Sequence, residues 1–86
     1  MFYVYVLRSR KSQRLYTGFT RDLRKRFNQH NENKSGFTSK RGPYDLVYYE
    51  ACQDEEDATS RELYLKSGMG KRYLYNRLKR FLALTG

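Results

Sequence analysis

Two short segments near the start of the chain constrain its fold more than any other feature. Residues 2–8 read Phe-Tyr-Val-Tyr-Val-Leu-Arg, and residues 15–19 read Leu-Tyr-Thr-Gly-Phe. Such aromatic and β-branched runs are typical of strands, and the polar stretch 9–13 between them predicts a turn, hence an antiparallel hairpin. Alternation places Phe2, Val4 and Val6 on one face of the first strand and Tyr3, Tyr5 and Leu7 on the other.

The predicted hairpin brings two tyrosines together. With a loop centred near Arg10 and Lys11, Tyr5 and Tyr16 would lie almost opposite each other. Gly18 inside the second strand indicates a close backbone approach to a ligand or a neighbouring group. Strand tyrosines usually serve packing, but two of them on one face beside a glycine are candidates for a site.

The rest of the chain predicts three helices and one more strand. Thr20 is the expected N-cap of a helix over about 21–32 that packs Leu23 and Phe27 inward. A polar loop spans 31–43, and a third strand spans 44–51. The last two helices are expected over about 55–66, capped by Asp54, and over about 71–84 after a break at 67–70. The final helix should bury Leu74, Leu78, Phe81 and Leu82.

These elements predict a small α/β (α+β) fold with a three-stranded, mainly antiparallel sheet flanked by helices in the order β-β-α-β-α-α. The 86 residues fit a single domain, 1–86, with a thin core of bulky side chains. The longest apolar run, Phe2 to Leu7, is too short to cross a bilayer, and no secretory signal follows Met1. Cys52 has no disulfide partner, so we expect a cytoplasmic protein.

The charge is both high and unevenly distributed. The chain carries 18 Lys and Arg against 9 Asp and Glu. None of the basic residues lies between Tyr44 and Ser60, whereas only three acidic residues lie outside that segment: Asp22, Glu32 and Glu62. A surface this basic favours nucleic acid as a partner. An anionic membrane, an acidic protein or a merely solvated surface are the alternatives, but the apolar faces are needed for the core and not for lipid.

Several short motifs follow one another in a fixed order. Tyr3-Val4-Tyr5 is followed after ten residues by Tyr16-Thr17-Gly18. Arg26 comes ten residues after Tyr16, and His30 four residues after Arg26. The segment Ala58 to Leu63 contains Glu62. This ordered set resembles the GIY-YIG nuclease family, and in particular its small stand-alone members. Tyr3, Val4 and Thr17 depart from the family pattern, at positions that serve backbone and packing.

The resemblance implies hydrolysis of DNA phosphodiester bonds assisted by one divalent ion, Mg²⁺ or Mn²⁺. Glu62 would hold the metal, and Arg26 would stabilise the negative charge that develops on the phosphate. Tyr5 is the expected general base and Tyr16 the group that positions water or phosphate, although these two roles could be exchanged. His30 would accept the proton of a tyrosine, whose ordinary pKa near 10 is too high for a base.

Further residues are expected to contact nucleic acid. The resemblance points to branched or distorted DNA, and thereby to DNA repair. The family also has an asparagine after its acidic helix, for which Asn76 is the candidate although it falls inside the predicted last helix. The predicted nucleic-acid contacts are Gly18, Arg24, Lys25, Lys34, Lys40 and Arg41.

Other interpretations of the same residues remain open. The basic residues of the first helix could be a solvated face, and Glu62 could simply form an ion pair with its neighbour Arg61. The whole domain could be a non-catalytic module that binds DNA or RNA by stacking and phosphate contacts. It could also be a catalytic subunit that obtains specificity from a protein partner, with the acidic segment 54–57 as the docking site.

Overall fold

The computed structural model describes residues 1–32 and 41–85 and contains three strands and four helices in that part of the chain. Lys34 and Lys40, expected to contact nucleic acid, lie outside the described residues. The elements are β1 (Phe2–Ser9), β2 (Leu15–Thr20), α1 (Leu23–Asn31), β3 (Tyr44–Cys52), α2 (Glu55–Lys66), α3 (Gly68–Arg77) and α4 (Lys79–Thr85).

The sheet has the strand order β2-β1-β3, and both pairings are antiparallel. The expected fold class, a three-stranded antiparallel sheet flanked by helices, is therefore confirmed. A register shift between Val6 and Leu7 interrupts the β1–β3 ladder. Since β1 is central, β2 forms one outer edge of the sheet.

Helices cover both faces of the sheet, so β1 is buried on both sides. On one face, Val4 and Val6 pack with residues of α2 and α3, among them Leu65 and Leu74. On the other face, the buried side chains Tyr5, Leu7 and Tyr44 contact Leu23 and Phe27 of α1. The predicted assignment of β1 side chains to the two faces agrees with these two clusters.

The hairpin register differs from the prediction by two residues. Tyr5 pairs with Gly18 and Leu7 pairs with Tyr16, so the two tyrosines are not opposite each other. The turn is centred one residue later than expected, over 10–14, where Gln13 adopts a left-handed conformation with φ 64° and donates its backbone N–H to the Ser9 carbonyl. A shift of two residues leaves every side chain on its expected face, so Tyr5 and Tyr16 still share one.

The helix boundaries also differ from the prediction. The break expected over 67–70 is only Ser67, because α3 already begins at Gly68. The N-cap of α1 is Asp22, whose side chain accepts a hydrogen bond from the Lys25 amide, and not Thr20. The expected last helix is two helices, α3 and α4, divided at Leu78. Phe81, expected in the core, is exposed and lies 5.8 Å from the Arg8 guanidinium. The Asp54 cap of α2 is as predicted.

Two local interactions set the position of α2. Arg61 donates hydrogen bonds to both carboxylate oxygens of Glu50 on β3, which ties the middle of the helix to the sheet. Ser67 is at once the C-cap of α2 and the N-cap of α3, where its hydroxyl accepts from the Gly70 amide. The direction of α3 relative to α2 therefore depends on a single residue between them.

Among residues 1–32 and 41–85, no helix combines the length and the apolar character that a transmembrane span requires.

Candidate active site

Gly18 allows the side chain of Tyr5 to reach the outer edge of the sheet. The two residues are register partners on β1 and β2. A Cβ placed on Gly18 would overlap the Tyr5 hydroxyl and lie 2.5 Å from its Cζ. Only a residue without a side chain leaves room for the phenol at this point of the edge strand. Gly18 therefore makes space for a buried tyrosine, and no nucleic-acid contact is needed to explain it.

The Tyr5 hydroxyl forms a hydrogen bond with a ring nitrogen of His30. The distance between Tyr5 Oη and His30 Nε2 is 2.8 Å, and both side chains are buried. Burial raises the pKa of Tyr5, and the nearby Arg26 acts in the opposite direction. Burial, together with the charge of Arg26, lowers the pKa of His30 below 6.5. At neutral pH the imidazole is therefore uncharged and can accept the phenol proton.

Arg26 and His30 lie one turn apart on α1, as their spacing predicts, and face the same side. The Arg26 guanidinium is half-buried and donates a hydrogen bond to Gln29 Oε1 at 3.2 Å. Its charge acts on both Tyr5 and His30, because it contributes to both pKa shifts. A fixed positive charge thus lies beside the hydrogen-bonded pair.

Glu62 reaches the same region from α2. The negative charge of its carboxylate contributes to the raised pKa of Tyr5, after burial and against the opposing effect of Arg26. Glu62 Oε2 lies 2.8 Å from Lys66 Nζ, and the Glu62 side chain is only 20% exposed. The ion pair expected between Glu62 and Arg61 is not formed, because Arg61 binds Glu50; Glu62 instead pairs with Lys66 within the same helix.

One cleft of about 640 Å³ collects these groups along the outer strand β2. It is bordered by β1, β2 and three helices, so residues far apart in the chain meet there. Its polar side chains include Tyr5, Tyr16, Arg26, His30 and Glu62, together with Lys66 and Lys71. Two phenols, an imidazole, a guanidinium and a carboxylate in one cleft can bind a phosphate and move a proton beside it.

The GIY-YIG catalytic domain is the protein family whose model matches this chain, over residues 1–79. The chain belongs to the GIY-YIG family. A UPF0213 protein from Clostridium perfringens is 45% identical over 67 residues, which are 77% of this chain and 71% of that protein. A UPF0213 protein from Pediococcus acidilactici is 40% identical over 81 residues, 87% of this chain and 82% of the relative.

A solved structure supports the same relationship. The solution NMR structure of a UPF0213 protein from Bacillus halodurans has a TM-score of 0.55 and 34% sequence identity to this chain. The match covers 88% of this chain and 84% of that chain. The GIY-YIG family consists of nucleases, so the family assignment supports an endonuclease in general.

Several predicted site residues do not border the cleft. Arg24 and Lys25 are exposed on another side of α1, beside Asn28 and Glu32. Arg41 is exposed, and its carbonyl accepts a hydrogen bond from Ser9 Oγ at 2.7 Å. Asn76 is exposed within α3 and is absent from the residues that border the cleft. The geometry therefore gives Asn76 no contact with the phenols or the carboxylate.

Two lysines that border the cleft, Lys66 and Lys71, were not predicted as site residues. Lys66 follows Glu62 by four residues, a spacing that places both on one helix face and could have indicated their contact. Lys71 enters from the first turn of α3, and nothing in its local sequence marks it. Both add positive charge to the lining of the cleft.

The cleft fits a metal with few protein ligands. Within the described residues, no group of three or more His, Cys, Asp or Glu side chains could hold an ion. Glu62 is the carboxylate that borders the cleft. Mg²⁺ is commonly bound by one or two carboxylates, with water and substrate phosphate as its other ligands. A single carboxylate that shares the cleft with the Arg26 guanidinium is compatible with that kind of site.

Proposed function

We propose that this chain is a single catalytic domain that hydrolyses DNA phosphodiester bonds as a divalent-metal-dependent endonuclease. The observation that carries the proposal is the meeting of the Tyr5–His30 hydrogen bond, Arg26 and Glu62 in one cleft. Each group alone has an ordinary structural explanation. Together they supply a proton acceptor, a fixed positive charge and a metal ligand around one position.

Tyr5 and His30 act together as the general base. Burial raises the Tyr5 pKa, so the phenol carries its proton at neutral pH and cannot accept another one by itself. As the attacking water loses a proton to Tyr5 Oη, the phenol proton passes to the neutral Nε2 of His30, 2.8 Å away. This coupled transfer avoids a free phenolate, and the positive charge is left on the imidazole.

Arg26 stabilises the phosphate as negative charge accumulates on its nonbridging oxygens. A guanidinium remains protonated throughout and can donate two parallel hydrogen bonds to these oxygens. Tyr16 lies on the same sheet face as Tyr5, and its ring packs edge-on against Tyr44 at 5.5 Å. Its hydroxyl positions the water or the phosphate.

Glu62 would hold the divalent ion, Mg²⁺ or Mn²⁺. When bound, the ion would neutralise charge on the phosphate and assist departure of the leaving oxygen. Lys66 must release Glu62 for this to happen, and its ammonium group is then available for a phosphate oxygen. The excess of positive charge favours DNA over a neutral ligand, and branched or distorted DNA is the substrate that we expect.

The proposal is tested by incubating the purified chain with plasmid and branched DNA, with Mg²⁺ or with EDTA. We expect Mg²⁺-dependent nicking that Arg26→Ala and Glu62→Ala each reduce by at least about a hundredfold. Asn28→Ala and Glu56→Gln are matched controls, because both residues are exposed on the same helices but lie outside the cleft. Nicking that survives both cleft substitutions would refute the proposal.

The Glu62–Lys66 ion pair supports a second candidate, a basic module that binds DNA or RNA without cleaving it. In that protein Lys66 would remain on the carboxylate at all times. Binding would then be unaffected by Mg²⁺, and no strand would be nicked. Salt dependence does not separate the two candidates, because both contact phosphates. Metal-dependent nicking does separate them.

A further inference from the structure

A second groove lies across α1 from the cleft. It has a volume of about 540 Å³, and its floor is apolar, formed by Leu23, Phe27 and Leu46. Tyr3 and Tyr49 form an aromatic wall, with ring centroids 6.1 Å apart in an edge-to-face arrangement. We call it the Tyr49 groove.

The rim of the Tyr49 groove is positively charged. Arg21 and Arg24 border it and are exposed. The Arg21 guanidinium lies over the Phe2 ring, 5.0 Å from its centroid, and 3.7 Å from Glu55 Oε2, so Arg24 supplies the charge for a phosphate. Asp22 also borders it, but its carboxylate accepts the Lys25 amide at the N-cap of α1. An aromatic wall with guanidinium groups at its rim matches the chemistry of a nucleotide, whose base is flat and apolar and whose phosphate is anionic.

Tyr49 combines a large exposed surface with a fixed backbone position. Its side chain is 54% exposed, although Tyr49 lies in the interior of β3 and not at its ends. Its backbone is the register partner of Tyr5, so only one strand spacing, about 5 Å, separates the two. The Tyr49 groove and the hydroxyl of Tyr5 therefore lie within the span of a few nucleotides.

Helix α1 separates the two sites and contributes side chains to both. Arg26 and His30 border the cleft, whereas Leu23, Arg24 and Phe27 border the Tyr49 groove. A strand held in the Tyr49 groove would consequently lie on the other side of α1 from a strand held in the cleft. Such a separation suits DNA in which a single-stranded arm leaves a duplex.

We propose that the Tyr49 groove binds a nucleotide of single-stranded DNA, with the base stacked on Tyr49 and the phosphate held by Arg24. The inference rests on the proposed function, since it names the substrate of the same enzyme as branched DNA with a single-stranded arm. It also explains the position of Arg24, which is basic and exposed but outside the cleft.

The test measures binding and not cleavage, with Glu62→Gln as the background to prevent turnover. Fluorescence anisotropy follows binding of a ten-residue oligothymidylate and of a ten-residue abasic strand with the same phosphates. We expect Tyr49→Ala to weaken binding of the oligothymidylate by about tenfold, and binding of the abasic strand by less than about twofold. Tyr49→Phe keeps the ring and should bind like the background.

Two further variants separate stacking from charge. Tyr75 on α3 is also 54% exposed, so Tyr75→Ala is the matched control and should change neither affinity. Arg24→Gln should weaken both strands alike and should reduce the slope of log K against log salt by about 0.7. The loss caused by Tyr49→Ala thus depends on the bases, and that caused by Arg24→Gln does not.

Three results would overturn the inference: undetectable binding of oligothymidylate, equal losses from Tyr49→Ala on both strands, or equal losses from Tyr75→Ala and Tyr49→Ala. Circular dichroism of each variant guards against misfolding, and Tyr49→Phe provides the intact-ring comparison. The proposed function fails separately, if the unsubstituted chain never nicks DNA with Mg²⁺. Cleavage without an effect of Tyr49 would refute the groove alone.

Discussion

Replacing Gly18 by alanine tests the packing on which the candidate site depends. Gly18 does not have a positive φ, so alanine meets no backbone strain there. The added Cβ would lie 2.5 Å from Tyr5 Cζ, whereas ordinary contact begins at 3.4 Å. The ring must therefore retreat by about 1 Å, which would stretch the 2.8 Å bond to His30 beyond hydrogen-bonding distance.

The cost in stability and activity follows from this displacement. Overpacking of this kind costs about 1–3 kcal/mol, which the lower unfolded-state entropy of alanine offsets by less than about 1 kcal/mol. We expect Gly18→Ala to lower the free energy of unfolding by about 1–2 kcal/mol. Misplacing the base by about 1 Å should reduce nicking by about a hundredfold.

Urea unfolding and plasmid nicking measure the two effects. Gly68→Ala is the matched control, because a Cβ on Gly68 has nothing within 4 Å, and it should not destabilise the chain. Removing the phenol should remove the conflict, so Gly18→Ala should cost little in a Tyr5→Ala background. A cost that persists in that background, or a Gly18→Ala protein with full stability and activity, would refute this reasoning.

Three further predictions concern stability and pH. Gly70→Ala should lower the free energy of unfolding in urea by about 3 kcal/mol, because its Cβ would overlap the Tyr64 carbonyl and lie 2.5 Å from Leu65 Cα. A variant of unchanged stability would contradict this close approach of α3 to α2. Asp54→Ala should cost about 1 kcal/mol by loss of the α2 cap, and Asp54→Asn much less; equal costs would speak against capping. The pKa of His30 is lowered, so below pH 6.5 the unfolded chain takes up a proton that the folded chain does not. The free energy of unfolding should thus fall more steeply below pH 6.5 than in His30→Gln, and parallel pH curves would disprove it.

Most of the fold could be predicted because its elements carry local signals. The alternation in β1, the acidic first turn of α2 and the Asp54 cap depend on neighbouring residues alone. The hairpin register does not, since the turn contains a left-handed Gln13, and glutamine is not a residue type that indicates such a conformation. The break at Leu78 could not be predicted, because apolar spacing continues through it without a glycine or a proline.

The site was predictable to the extent that helical spacing and motif order define it. Arg26 and His30 could be placed on one face of α1 from their separation. The hydrogen bond between His30 and Tyr5 then joins that face to β1. The contacts of Glu62 could not be predicted in the same way. Arg61 forms its ion pair with Glu50 on β3, so Glu62 pairs with Lys66. Such a choice depends on tertiary packing, and so does the presence of Lys71.

The location of the cleft along β2 has a consequence for the shape of an acceptable substrate. β2 is an outer strand, so the candidate site lies at an edge of the sheet and not inside a closed barrel or tunnel. A long polymer can rest across such an edge and continue past it in both directions. The polymer does not have to be threaded in from a free end. The cleft can therefore reach internal positions of a continuous strand as readily as its ends.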